Sequence, residues 1–404
     1  MMIKSILDND LYKFSMMAAV LELFPNAKVE YKFKNRGKQK FNEEFLNLLK
    51  NEIQNLKNLK LTNEEYDWLK NNIPYFKPSY LAYLKNYRFD LSQVEINLTK
   101  DNDLDISIKG FWRDTILFEV VIMALISEIY FRYIDTNWIK KGPNGMDGLD
   151  WVNIGQRTLA YEKIEELSKN ECNFAEFGTR RRRSHEIQDL VINQFVEYGK
   201  NNTNSTFVGT SNVYFAKKYN IKAIGTYAHE WVQGMQALES INHCNYFAMQ
   251  NWVKVYNTEL GVCLPDCIAT DMFLQNFNRR FAMLFSGLRH DSGNAFEFAD
   301  KIINHYKKLN IDPMSKFIIF SDGLSIEKAI EINKYCKEKI KCSFGIGTSF
   351  TNDISNSPSL NMVIKLWSVN RFPVVKVPDT EGKSNGDPKA VEVMKYIIKN
   401  QLKN

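Results

Sequence analysis

Residues 173–199, NFAEFGTRRRRSHEIQDLVINQFVEYG, hold a short apolar run, a Gly-Thr turn carrying four arginines, and a stretch with helical periodicity. That unit sets the fold reading, because its rhythm recurs from about residue 172 onward. The strand-and-turn pieces are NFAEFGTR (173–180), STFVGTSN (205–212), KAIGTYAHE (222–230), DCIATD (266–271), SGLRHDSGN (286–294), FIIFSDG (317–323), CSFGIGTSF (342–350) and FPVVKVPD (372–379), with helix-like segments such as SIEKAIEINKYCKEKI between them. Strands alternating with helices imply right-handed crossovers and a parallel sheet, and eight such units close a (β/α)8 barrel. An open doubly wound sheet is the alternative, but it usually carries one Gly-rich phosphate loop after its first strand, whereas here nearly every unit ends in polar residues.

In a barrel those ends meet on one rim. The expected rim holds Arg180 and Arg182, Thr210 and Ser211, Thr226 and His229, Asp271, Arg289 and Asp291, Asp322 and Gly323, Gly345, Gly347 and Thr348, and Lys376. Arginine forks and glycine-turn amides bind phosphate oxygens, and hard carboxylates suit a magnesium ion bridging a pyrophosphate. The set fits a phosphorylated sugar better than an apolar ligand. His229 alone reads equally as a structural hydrogen-bonder or as a nucleophile, base or ligand; its rim neighbours, above all Asp271 as an orienting carboxylate, favour chemistry.

The arginine run has two readings, a solvated helix start or a ligand-facing group. Alternation lets Arg180 and Arg182 face the site while Arg181 and Arg183 turn outward. A nucleic-acid surface needs a continuous basic stripe, which Glu186 and Asp189 interrupt.

Working outward, the 404 residues are 44% hydrophobic, enough for a large core, and 53 Lys and Arg against 47 Asp and Glu leave only a mild basic excess. Residues 41–59, FNEEFLNLLKNEIQNLKNL, read as an amphipathic helix, and VEINL (94–98) and LDISIKGFW (104–112) as strands, giving an N-terminal α+β unit. TILFEVVIMALISEIYF (115–131), broken by Glu119 and Glu128, reads as a buried helix rather than a membrane span. The first residues lack a secretory h-region, so a cytoplasmic protein is expected. The six cysteines follow no metal-binding spacing and are expected to be reduced core thiols.

The motifs DNDLYKFSMM (8–17), VEYKFKNR (29–36), EFGTRRR (176–182), VGTSNVYFAKKYNIKAIGTYAHEW (208–231), RHDSG (289–293), FSDG (320–323) and FGIGTS (344–349), in this order and spacing, closely resemble those of the nicotinate phosphoribosyltransferases, a type II phosphoribosyltransferase family. The resemblance spans essentially the whole chain. It implies an α/β fold: an irregular (β/α)8-like barrel with a second α+β domain built from the N-terminal part and some C-terminal residues. The expected division is an N-terminal α+β domain over 1–112, joined by part of 350–404, a barrel over 113–380 and a C-terminal helix over 381–404. It also implies a homodimer with a shared active site, the substrates nicotinate and phosphoribosyl pyrophosphate, ATP as co-substrate, and magnesium on the pyrophosphate.

By the same resemblance, Phe177 and Arg180 hold the pyridine ring, Tyr12 completes the stack from the partner subunit, and Arg36 reaches across towards phosphate. Arg289 and Asp291 flank the ribose. Asp322, Gly323, Gly345, Gly347 and Thr348 form the loops for the ribose hydroxyls and the 5′-phosphate. His229 is the phosphorylated histidine and Asp271 its partner. Nicotinamide-using relatives carry an aspartate where this chain has Ser211; a carboxylate there would repel nicotinate, whereas a hydroxyl donates to it. Three rivals stand: a nicotinamide-using enzyme, a quinolinate-type enzyme drawing an extra cation from Arg182, and a nucleic-acid binder using the arginine run.

Overall fold

The computed structural model describes residues 1–140, 142–143, 146–380 and 382–403. Among them the strands are β1 (Lys28–Asn35), β2 (Val94–Leu98), β3 (Leu104–Phe111), β4 (Phe174–Glu176), β5 (Phe207–Thr210), β6 (Val262–Cys263), β7 (Gly287–His290), β8 (Phe317–Phe320), β9 (Lys341–Ile346), β10 (Met362–Val369) and β11 (Phe372–Pro373).

Two sheets result. The antiparallel one has the order β11-β10-β1-β3-β2, so the expected contribution of C-terminal residues is met by β10 and β11. Its central strand places Tyr31 opposite Ile108 on one side and Leu366 on the other. The expected strands at 94–98 and 104–112 are β2 and β3, where alternate residues such as Ile106 and Ile108 face the core. The amphipathic stretch forms the helix Glu43–Asn55, opened by Asn42 accepting from the Phe45 N–H.

The second sheet is parallel, with the order β5-β4-β9-β8-β7-β6, and it curls into the irregular barrel. Isolated parallel bridges carry the curl past both edges, Thr210 to Ala223 beyond β5 and Ile268 to Val377 beyond β6. The barrel therefore departs from eight regular strands at three of the expected units. KAIGTYAHE contributes only the Ala223 bridge, DCIATD is a short 3₁₀ turn and a helix start after β6, and FPVVKVPD sends Phe372–Pro373 to the antiparallel sheet before Val377 returns to the barrel.

The apolar segment is the helix Phe118–Ile129, buried at every position. Its two carboxylates are neutralised in place, Glu119 by Lys13 at 2.6 Å and Glu128 by Arg132 at 2.8 Å. No helix among the described residues is long and apolar enough to cross a membrane. The cysteines are unpaired, as expected. The C-terminal helix runs Pro388–Gln401; Glu381 and Asn404, the ends of the expected segment, lie outside the described residues.

Candidate active site

The C-terminal tips of the barrel strands open into a cavity of about 640 Å³. Its first wall is the turn after β4, where Phe177 and Arg180 line the cavity. Glu176, fully buried, holds this turn by accepting from the Gly178 N–H, from Thr210 Oγ1 at 2.6 Å and from Gln188 Nε2 at 3.1 Å. Burial without a cation pushes its carboxyl up to about 7. The Phe177 ring lies directly over Gly345 of β9: a Cβ there would come within 2.5 Å of ring carbons, so only glycine leaves the ring its place. Arg289 stands with its guanidinium carbon 5.7 Å from the Phe177 ring centroid.

The second wall gathers the charges. Arg289 Nη2 donates to Asp291 Oδ1 at 2.8 Å, and the Ser321 hydroxyl bridges them, 2.7 Å from Arg289 Nε and 2.6 Å from Asp291 Oδ1. With Arg289 and His229 beside it, Asp291 overcomes the cost of burial and titrates down at about 2. Asp322, Gly323, Gly347 and Thr348 line the same cavity. Gly323 has φ 56°, the left-handed turn that the FSDG motif requires. Tyr12, Arg36, Ser211, Thr226 and Lys376 line it too, whereas Thr210, expected on the rim, is buried and donates to Glu176.

His229 opens the helix His229–Leu238 and is buried. Its Nε2 lies 2.8 Å from Asp266 Oδ1 and 2.9 Å from Lys376 Nζ, and Lys376 also donates to Asp266 Oδ2 at 2.8 Å. Burial and the Lys376 ammonium lower the His229 pKa, so the ring is neutral near pH 7. Burial opposes the charge on Asp266, yet His229 and Lys376 hold its carboxyl well below the usual range. With Nε2 engaged, Nδ1 faces Asp291 Oδ2 at 3.9 Å.

Four expectations need correction. Asp271 is not the partner of His229: it is exposed on the first turn of the helix Thr270–Asn276 and pairs with Lys301 at 2.9 Å. Ala269, at φ 37°, turns the chain so that Asp266 points inward and Asp271 away. Arg182 does not face the cavity. The residues Thr179–Arg181 form a 3₁₀ turn, which abolishes strand alternation, and Arg182 is sealed against Asp8 at 2.7 Å. Arg183 is likewise buried, its guanidinium 3.6 Å over the Phe131 ring, while Arg181 lines the cavity. Tyr12 and Arg36 reach the cavity from their own chain. Ser211 directs its hydroxyl to Asp10 Oδ1 at 2.8 Å, not freely into the cavity.

Sequence reasoning also missed residues. Lys365, on β10, lines the cavity, and burial pulls its ammonium down to about 8. A lone lysine inside the apolar run NMVIKLWSV was its signal. Lys13 is a second case, with no side-chain exposure in an apolar helix, bonded to Glu119 and Glu230. Glu119 in turn meets Arg180 Nη1 at 3.3 Å, which ties the cavity arginine to the antiparallel unit.

The model of the nicotinate phosphoribosyltransferase (NAPRTase) family matches residues 172–402, and that of the NAPRTase N-terminal domain matches residues 7–127. A nicotinate phosphoribosyltransferase of Methanosarcina mazei is 49% identical over 407 residues, covering 98% of each chain. Another from Methanosarcina acetivorans is 49% identical over 405 residues with the same coverage. The crystal structure of nicotinate phosphoribosyltransferase from Porphyromonas gingivalis superposes with a TM-score of 0.91 at 38% identity, covering 98% of this chain and 100% of that one.

Proposed function

Because the chain belongs to the nicotinate phosphoribosyltransferase family, whose members are transferase enzymes, we propose that it joins nicotinate to phosphoribosyl pyrophosphate, releasing pyrophosphate, and couples this to ATP hydrolysis through a phosphohistidine at position 229. The product, nicotinate mononucleotide, would serve NAD salvage. The observation that carries the reading is the single cavity in which Phe177, Arg180, His229, Arg289, Asp291 and Asp322 meet from separate strand ends.

In this reading the pyridine ring lies between Phe177 and Tyr12 with Arg180 beside it. Loss of pyrophosphate from C1 builds positive charge on the ribose and negative charge on the leaving group. Asp291, ionised at neutral pH, faces the first, and Arg289 faces the second. Gly345, Gly347 and Thr348 supply backbone amides for the 5′-phosphate. Holding ring nitrogen and C1 in line is the larger part of catalysis.

Magnesium fits as a guest of the pyrophosphate. His229, Asp266 and Asp291 each offer one atom within 4.8 Å of the others, but the Lys376 ammonium already donates to Asp266 Oδ2 and stands 2.9 Å from His229 Nε2. Asp291 Oδ2, which accepts no hydrogen bond among the described residues, and Asp322, met only by Lys383 at 3.3 Å among them, are the carboxylates that would hold it, and magnesium would supply charge neutralisation of the polyphosphate.

For the ATP half-reaction, the geometry supports Nδ1 of His229 as the nucleophile. In the tautomer whose Nε2–H donates to Asp266, the Lys376 ammonium keeps its bond to Asp266 and makes none to the ring, and the Nδ1 lone pair is left to attack the terminal phosphorus of ATP and displace ADP. Hydrolysis by water later restores the imidazole and frees phosphate.

The arginine run offers no surface stripe, since Arg182 and Arg183 are buried, and Arg182 is not free to serve a second substrate carboxylate. Incubating the protein with nicotinate, phosphoribosyl pyrophosphate and ATP tests the proposal. Mononucleotide formed with release of pyrophosphate and stimulated by ATP is expected; no product under any combination refutes it.

A further inference from the structure

Asp10 lines the cavity yet is only 2% exposed. It stands at the N-cap of the helix Leu11–Leu23, where an aspartate normally accepts from the first backbone amides, but its side chain makes no such bond. The carboxyl is turned instead to Ser211, whose hydroxyl donates to Oδ1 at 2.8 Å. The two are fixed relative to one another, because the Leu11 N–H donates to the Ser211 carbonyl at 2.7 Å and Asp10 bridges Asn212. The groups that face this carboxyl are Arg180 and the Thr179 hydroxyl on the turn after β4, Glu119 on the helix Phe118–Ile129, Glu176 at the end of β4, and Tyr12 on its own helix.

The hydroxyl of Ser211 has one proton, and Asp10 holds it. What the pair presents to a neighbouring ligand is therefore lone pairs and a negative charge. That arrangement welcomes the N–H of an amide and repels a carboxylate, as an aspartate at position 211 would. A proton on Asp10 reverses it: the acid O–H donates to Ser211 Oγ, and the serine hydroxyl is released to donate to the ligand.

We propose that Asp10 is the specificity-determining residue for the pyridine substituent, nicotinate binding the state in which the Asp10 carboxyl is protonated and nicotinamide the state in which it is ionised. The proposal rests on the reading that the pyridine lies beside Phe177 and Arg180. Binding of nicotinate then takes one proton from solvent and its departure returns it, with no covalent change. Burial, aided by Glu119, raises the Asp10 pKa against the opposing pull of Arg180, Ser211 and Thr179, and a carboxylate ligand raises it further.

The test is calorimetric titration of the full-length protein with nicotinate, and separately with nicotinamide, in two buffers of different ionisation enthalpy at pH 7.5. The expected result is more proton uptake with nicotinate than with nicotinamide, approaching one proton as pH is raised above the Asp10 pKa, with nicotinate affinity falling about tenfold per pH unit there. In Asp10→Asn the uptake disappears; in Ser211→Ala and in Glu176→Gln it persists. Binding of nicotinate to the wild-type protein without proton uptake, or uptake unchanged in Asp10→Asn, overturns the proposal while leaving the transferase reading intact. Uptake lost in Glu176→Gln and kept in Asp10→Asn assigns the proton elsewhere and overturns it equally. If nicotinate fails to bind and no mononucleotide forms, both fall together. Should Asp10→Asn not fold, the wild-type proton count and the Glu176→Gln variant still decide.

Discussion

In the seam between the N-terminal helix and the barrel, Arg182 and Asp8 close on each other with neither side chain exposed; at the cavity, Arg289 and Asp291 do so with 18% and 23% exposed. Both are arginine–aspartate pairs at 2.7–2.8 Å, and they do different things. The sealed pair has further protein partners, Gln188 on the arginine and Asn212 on the aspartate, so its charges serve only to fix two segments. Among the described residues the open pair leaves Asp291 Oδ2 without a hydrogen bond, and it adjoins the His229–Asp266–Lys376 cluster at the cavity. These two pairs thus divide between anchoring and a free carboxylate oxygen at the cavity, and their exposure differs accordingly.

The sharpest break between the two regions comes at His229. His229→Ala should abolish ATP hydrolysis and its stimulation of synthesis while leaving slow ATP-independent transfer, and thermal melting should move little; coupled assays with and without ATP check this. Arg182→Leu should do the reverse. Stranding Asp8 in a dry seam costs about 3–5 kcal/mol of stability, measurable as a large drop in Tm, and activity per folded molecule should survive.

Gly345→Ala tests how finely the open region is built. The added Cβ displaces the Phe177 ring, and losing an aromatic contact worth roughly 0.5–1.5 kcal/mol should raise KM for nicotinate several-fold at little cost in stability. Glu176 tests the anchoring side through pH. Its carboxyl is raised from 4.5 to about 7 in the folded chain, so the folded state binds more protons than the unfolded one between those values. Its contribution is full below pH 4.5 and is lost as pH rises through 7. Glu176→Gln should flatten that part of the Tm profile. Smallest of all, Asp271→Ala should leave both activity and Tm within error, since the Asp271–Lys301 pair is exposed and worth little.

The barrel was legible because parallel strands are apolar runs with polar tips, and the tips after β4, β7, β8 and β9 were read in place. The rest failed for local reasons. A five-residue difference inside DCIATD decided between Asp266 and Asp271, and it depended on Ala269 entering the left-handed region, which no periodicity announces. A 3₁₀ turn at Thr179–Arg181 replaced the alternation that had placed Arg182 inward. The Ser211 hydroxyl was read without its acceptor, because Asp10 meets it only through a contact between residues 201 positions apart.

His229 is the group proposed to take phosphate from ATP in a cavity built by separate strand ends. Treating the protein with ATP labelled in its terminal phosphate and mapping the label measures this directly. An acid-labile, base-stable label is expected on the peptide containing His229, absent in His229→Ala and retained in Asp271→Ala. A label that persists in His229→Ala, or none at all in an enzyme that still couples ATP to synthesis, would contradict it.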